Sequence, residues 1–156
     1  VNAYFWLKTV HIVSATILFG TGLGTAFFKW ITDRSGNVQA IRVVAERVVW
    51  ADWIFTTPAV VVQPITGALL ARMLGFPISS GWVAHAIVLY VLAGACWAPV
   101  VWLQIRMRDL ARDAFERGSP LGEKYWQLAR IWFWLGVPAF CAVLAIFALM
   151  VAKPTP

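Results

Sequence analysis

Charge is scarce in this chain. Only 13% of its 156 residues are Asp, Glu, Lys or Arg, against roughly 25% in an ordinary soluble domain. Apolar residues make up 61%, more than a soluble core of this size can hide. Histidine is rarer still, with His11 and His85 alone, and the two cysteines are Cys96 and Cys141. The cysteines lack ligand or disulfide spacing and read as small core residues. No Gly-rich phosphate loop, covalent-haem Cys-x-x-Cys-His, zinc-helix motif or nucleophile elbow occurs. No paired carboxylates face the interior of the apolar runs, which argues against an ion-coupled pump.

What the chain does have is four long apolar runs. They extend from about Tyr4 to Trp30, Val48 to Leu74, Trp82 to Ile105 and Ile131 to Ala152. Each exceeds the roughly 20 residues that span a hydrocarbon core as a helix. Backbone groups in lipid must be satisfied internally, and runs this long and continuous exclude barrel strands. The expected architecture is all-α: an integral membrane four-helix bundle, up-down-up-down, in one domain. The first run reads as a span rather than a cleaved leader. Ten Trp and ten Phe suit a lipid-facing surface with interfacial belts.

The net charge of +6 does not indicate nucleic acid, because the basic residues concentrate in two loops. Lys29, Arg34, Arg42 and Arg47 follow the first run; Arg106, Arg108, Arg112, Arg117, Lys124 and Arg130 follow the third. Lys8, Arg72 and Lys153 are all that face the other side. The positive-inside rule then puts both loops in the cytoplasm and both termini on the periplasmic side of a bacterial inner membrane. Ser35-Gly36-Asn37 reads as a turn, followed by an amphipathic interfacial helix over Val38 to Val49. Gly75 to Gly81 reads as a tight turn. The third helix is expected to run on to about Arg117 and to break at Gly118-Ser119-Pro120.

Both histidines fall inside apolar runs, where an ionisable residue is a functional candidate. Runs one and three are parallel in such a bundle, so His11 and His85 share a leaflet. Diagonal helices lie about 12–14 Å apart, by square geometry on the ~8–10 Å spacing of neighbours. That width admits two imidazoles with an iron between them, and neutral imidazole is a strong ligand. The alternative for each is a histidine bonded to a nearby carbonyl or hydroxyl. Ser14 shares a face with His11. Gly20 and Gly24 form a small-xxx-small pair, for close packing or for a flat macrocycle. Gln63 needs a partner inside the bundle: another helix, a quinone carbonyl or a propionate. Arg106, at the basic mouth, suits a propionate or a lipid headgroup. Asp52 reads as a carboxylate at the positive end of the helix-two dipole. Pro58 and Pro64 should kink that helix and free carbonyls.

Two resemblances add to this reading. The stretches His11 to Gly24, Ala51-Asp52-Trp53, and Ala93-Gly94-Ala95-Cys96-Trp97 through Gln104-Ile105-Arg106-Met107-Arg108-Asp109-Leu110 resemble a family of predicted bacterial four-span membrane proteins of unknown function. The opening Tyr4-Phe5-Trp6-Leu7-Lys8-Thr9-Val10-His11, with Thr57-Pro58, Gly81-Trp82 and Val151-Ala152-Lys153-Pro154, more thinly resembles the haem-dependent membrane protoporphyrinogen oxidases and the copper-resistance D-like proteins. That resemblance implies haem b with His11 as axial ligand. The lysine that follows a third-helix histidine in those oxidases has no counterpart in His85-Ala86-Ile87-Val88. The function expected is haem-linked electron transfer, with quinone or a redox protein as partner and a homo-oligomer as a possible assembly. The alternatives are a porphyrinogen-oxidase-like enzyme and a cofactor-free accessory subunit.

Overall fold

The computed structural model describes residues 2–79 and 81–154. Helix α1 runs from Ala3 to Arg34, α2 from Val38 to Ala51, α3 from Thr57 to Met73, α4 from Gly81 to Glu116 and α5 from Glu123 to Ala152. A π-helical turn over Asp52–Thr56 joins α2 to α3 without a break. The protein therefore has four long apolar helical spans, the second being Val38–Met73. They pack as a bundle: α1 lies against α2 and α3, α2 against α4, and α4 against α5 in the most extensive pairing. Of the tight turn at Gly75 to Gly81, Ser80 lies outside the described residues.

The second and fourth spans begin earlier than hydropathy suggests. Asn37 caps α2, its side-chain oxygen accepting from the Ala40 N–H at 3.0 Å,. The buried residues of α2, namely Ile41, Ala45, Val48 and Val49, recur at helical spacing on one face. That face packs on α4, and the segment runs on without a break into the apolar part of the second long helix. At the start of α5, Glu123 occupies the first turn, where a carboxylate suits the helix dipole. The third span ends at Glu116, as expected, and the φ of +61° at Gly118 turns the chain at little steric cost.

Apolar side chains such as Trp6, Val88, Val91 and Trp134 point outward, which is a lipid-facing surface for a membrane-spanning bundle. The tightest packing lies toward the long loops. There Ile41, Val100, Leu103, Met107, Ala111, Tyr125 and Trp132 form one buried cluster. Helix α4 contains 36 residues, about 54 Å at 1.5 Å per residue, well beyond the ~30 Å of hydrocarbon. Its overhang carries Met107, Ala111 and Ala114 into that cluster and its margin.

Proline sets the course of span two. Pro58 has no N–H for the Ile54 carbonyl, and its ring crowds that oxygen. The ladder adjusts by a π step: the Thr57 N–H bonds to the Asp52 carbonyl, five residues back. A π turn accommodates one extra residue, so side chains upstream are rotated by about 100° relative to an unbroken α-helix. Pro64 has the same effect on the Val60 carbonyl, which Tyr90 of α4 satisfies at 2.6 Å.

Candidate functional site

Three of the expected site residues come together on the seam between α1 and α3. The Gln63 amide donates to the His11 carbonyl at 2.8 Å. The Ser14 hydroxyl donates to the Ala59 carbonyl at 3.3 Å. His11 Nδ1 lies 2.7 Å from Thr66 Oγ1. Thr66 also approaches the Val62 carbonyl at 2.8 Å. If its single proton goes there, His11 Nδ1–H is the donor to Thr66. Gly67 admits the imidazole, since a Cβ there would sit 3.3 Å from His11 Cε1. These contacts fasten two helices together.

The other candidates lie elsewhere. His85 is exposed and its Nδ1 holds the Gly81 carbonyl of its own helix at 2.8 Å. Gly20 is exposed, and a Cβ at Gly20 or Gly24 would meet nothing within 4 Å. Among the described residues the small-xxx-small pair therefore meets no close helix contact, and the glycine under a neighbouring side chain is Gly67. Arg106 is exposed on α4. Lys29, counted among the loop charges from sequence, is buried at 1% exposure. It donates to Asp33 at 2.6 Å and to the Tyr125 hydroxyl at 3.0 Å, and Tyr125 donates to Asp33 at 2.6 Å. Its ammonium also faces the Trp132 ring, 5.1 Å from the centroid. The triad ties α1 to α5 with every strong group satisfied.

The feature with chemical potential is a partly open cavity of about 550 Å³, lined by residues of all four spans. Its walls are mostly apolar and aromatic, with Phe19, Tyr90, Trp97, Trp132 and Phe140 among them. Phe19 stacks on Phe140 at 5.1 Å where α1 meets α5. Gly22, Gly94 and Gly136 also line it, and a Cβ on any of them would meet nothing within 4 Å. Asp52 and Gln104 bring polarity to this wall, with 5% and 6% exposure.

Asp52 Oδ1 accepts from the Thr56 hydroxyl at 2.8 Å. Its Oδ2 has no hydrogen-bond partner, nor has Gln104 Oε1, and both atoms are buried. The indole N–H groups of Trp97 and Trp132 are likewise buried without partners. Buried polar groups are ordinarily satisfied. These four atoms belong to residues that line one cavity, and π turns recur at functional sites. The dipole explanation for Asp52 does not hold, because the helix begins at Val38, fourteen residues earlier. Among the described residues no Lys or Arg forms an ion pair with Asp52.

The cavity itself offers no pair of histidines for a haem. No histidine or methionine lines the cavity. His11 Nδ1 bonds to Thr66 of α3, and His85 Nδ1 to the Gly81 carbonyl of its own helix. Among the described residues no group of three or more His, Cys, Asp or Glu side chains is placed to hold a metal ion.

No curated protein and no solved structure matches the chain. One family model does, the one described as "Predicted integral membrane protein (DUF2269)", over residues 5–154. With nearly the whole chain covered and four helices of membrane-spanning length in the bundle, the protein belongs to this family of multi-pass integral membrane proteins.

Proposed function

We propose that this protein binds an apolar small molecule inside the membrane, in the cavity between its four spans. The observation that carries the reading is the set of buried, unpartnered polar atoms on Asp52, Gln104, Trp97 and Trp132 around an otherwise apolar chamber. The volume, about 550 Å³, falls in the roughly 300–1,000 Å³ range of ligand pockets, which combine apolar walls with a few polar groups. The basic loops support a bacterial inner-membrane location with those loops in the cytoplasm and both termini outside.

The test is a thermal melt of purified protein against a panel of hydrophobic amines, alcohols, quinones and acids. Binding to the folded state raises the melting temperature. The wild type is expected to respond to at least one class. Gly136→Phe, which fills the chamber from a position with open space around it, is expected to respond to none. Identical responses in both proteins would sink the proposal.

Haem-linked electron transfer is the competing reading, and its support is the first-helix His11. Its Nδ1 is anchored by Thr66, the kind of bond that orients a ligating imidazole. It requires a Soret band in the purified protein that is lost in His11→Ala. A colourless protein after expression with added haem removes it.

A further inference from the structure

We infer that the ligand of this cavity is a lipophilic ammonium ion: an apolar, ring-bearing or chain-bearing molecule whose positively charged nitrogen is held by Asp52 and Gln104. This rests on the cavity reading above and assigns the chemical class of its occupant.

Charge balance is the first argument. Among the described residues two carboxylates are buried, Asp33 and Asp52. Asp33 has Lys29 and the Tyr125 hydroxyl. Asp52 has Thr56 on one oxygen and the Gln104 side chain beside its carboxyl, but among the described residues no cation. A carboxylate within a span calls for a partner charge, and the buried cation of the bundle, Lys29, is already committed. A ligand bringing its own positive charge completes the site.

Hydrogen-bond polarity is the second. The orphaned oxygens Asp52 Oδ2 and Gln104 Oε1 are both acceptors, and the Gln104 side chain lies beside the Asp52 carboxyl. An ammonium presents only donors, the polarity that both oxygens lack. A quinone head presents only acceptors and leaves both unfilled. A carboxylate head adds a second negative charge beside Asp52. The indole N–H groups of Trp97 and Trp132 are donors that an ether or hydroxyl oxygen elsewhere on the ligand would satisfy.

The walls are the third. Trp97, Trp132 and Tyr90 line the chamber, and the faces of such rings attract cations more strongly where water is excluded. Lys29 already uses the Trp132 ring in this way.

Aminomethylpyrene and hydroxymethylpyrene test the inference, because they share one ring system and only the first carries an ammonium. Saturable energy transfer from tryptophan to pyrene is measured in phosphatidylcholine nanodiscs, with protein-free nanodiscs as baseline. The amine is expected to bind the wild type at least about ten-fold more tightly than the alcohol, a difference of about 1.4 kcal/mol. Asp52→Asn keeps the shape and is expected to bring the two within about two-fold. Gly136→Phe is expected to abolish both signals. Equal binding of amine and alcohol by the wild type overturns the ammonium assignment and leaves the cavity reading standing, and this comparison needs no variant. Preference for the amine that persists in Asp52→Asn also overturns it. If neither probe saturates, this inference fails; if the panel of melts is silent as well, so does the cavity reading.

Discussion

The Tyr90 hydroxyl reaches from α4 to the Val60 carbonyl at 2.6 Å, the carbonyl that Pro64 leaves without its usual helical donor. A break in one helix is thus repaired by a side chain of another. Tyr90→Phe should cost about 1–2 kcal/mol, since it leaves a buried acceptor unpaired. In a Pro64→Ala background the regained N–H bonds that oxygen and the same substitution should cost less. A double-mutant cycle read by thermal or denaturant unfolding in detergent checks this, and a coupling near zero contradicts the repair.

The Lys29–Asp33–Tyr125 triad should behave as a buried ion pair. Removing one charge by Lys29→Met strands the other and should cost about 3–5 kcal/mol. Lys29→Met with Asp33→Leu should cost markedly less, because no uncompensated charge is left. Unfolding midpoints of the three variants decide it; equal losses in single and double variants would show that the charges are not coupled.

The seam between α1 and α3 should be sensitive to volume. A Cβ at Gly67 would press on His11 Cε1 at 3.3 Å, so Gly67→Leu should destabilise by about 1–3 kcal/mol through overpacking. His11→Ala in the same chain should recover part of that loss by vacating the space. Recovery is the expected result in paired melts; losses that simply add would mean that the two sites do not touch.

The glycines of the chamber predict the opposite sign. Gly22→Ala, Gly94→Ala and Gly136→Ala each place a methyl group in open space and remove a weak helix former. Each should stabilise the ligand-free protein by up to about 1 kcal/mol. A lower melting temperature in all three would indicate that the chamber is closed in solution.

The four spans were legible because twenty-residue apolar runs have few other uses. Their limits were harder to see. Asn37, read as part of a turn, is the cap that starts span two, and the polar residues between it and Val48 lowered hydropathy below the level of a span. His11, Ser14 and Gln63 stood out correctly as polar residues needing partners, and they partner one another's helices. Asp52 was explained away by a dipole argument that depends on where the helix starts. Its real setting depends on the π turn, which Pro58 induces and which no apolar periodicity reveals. The signal available was local: a carboxylate with Thr56 one turn on and Pro58 six residues on, in a run of aromatics. Gln104, 52 positions away, could be joined to it only in three dimensions.

The buried cluster around Met107 and Tyr125 has a bearing on how a ligand arrives. It adjoins the chamber through Val100 and Trp132, which belong to both. Between α1 and α5, by contrast, contact rests on a few side chains such as Phe19 and Phe140. A molecule dissolved among the lipid tails meets this thin seam of rings directly. The effective concentration sensed by the protein is then that of the bilayer, so its apparent affinity, expressed per volume of water, should weaken in proportion as more lipid is supplied per protein.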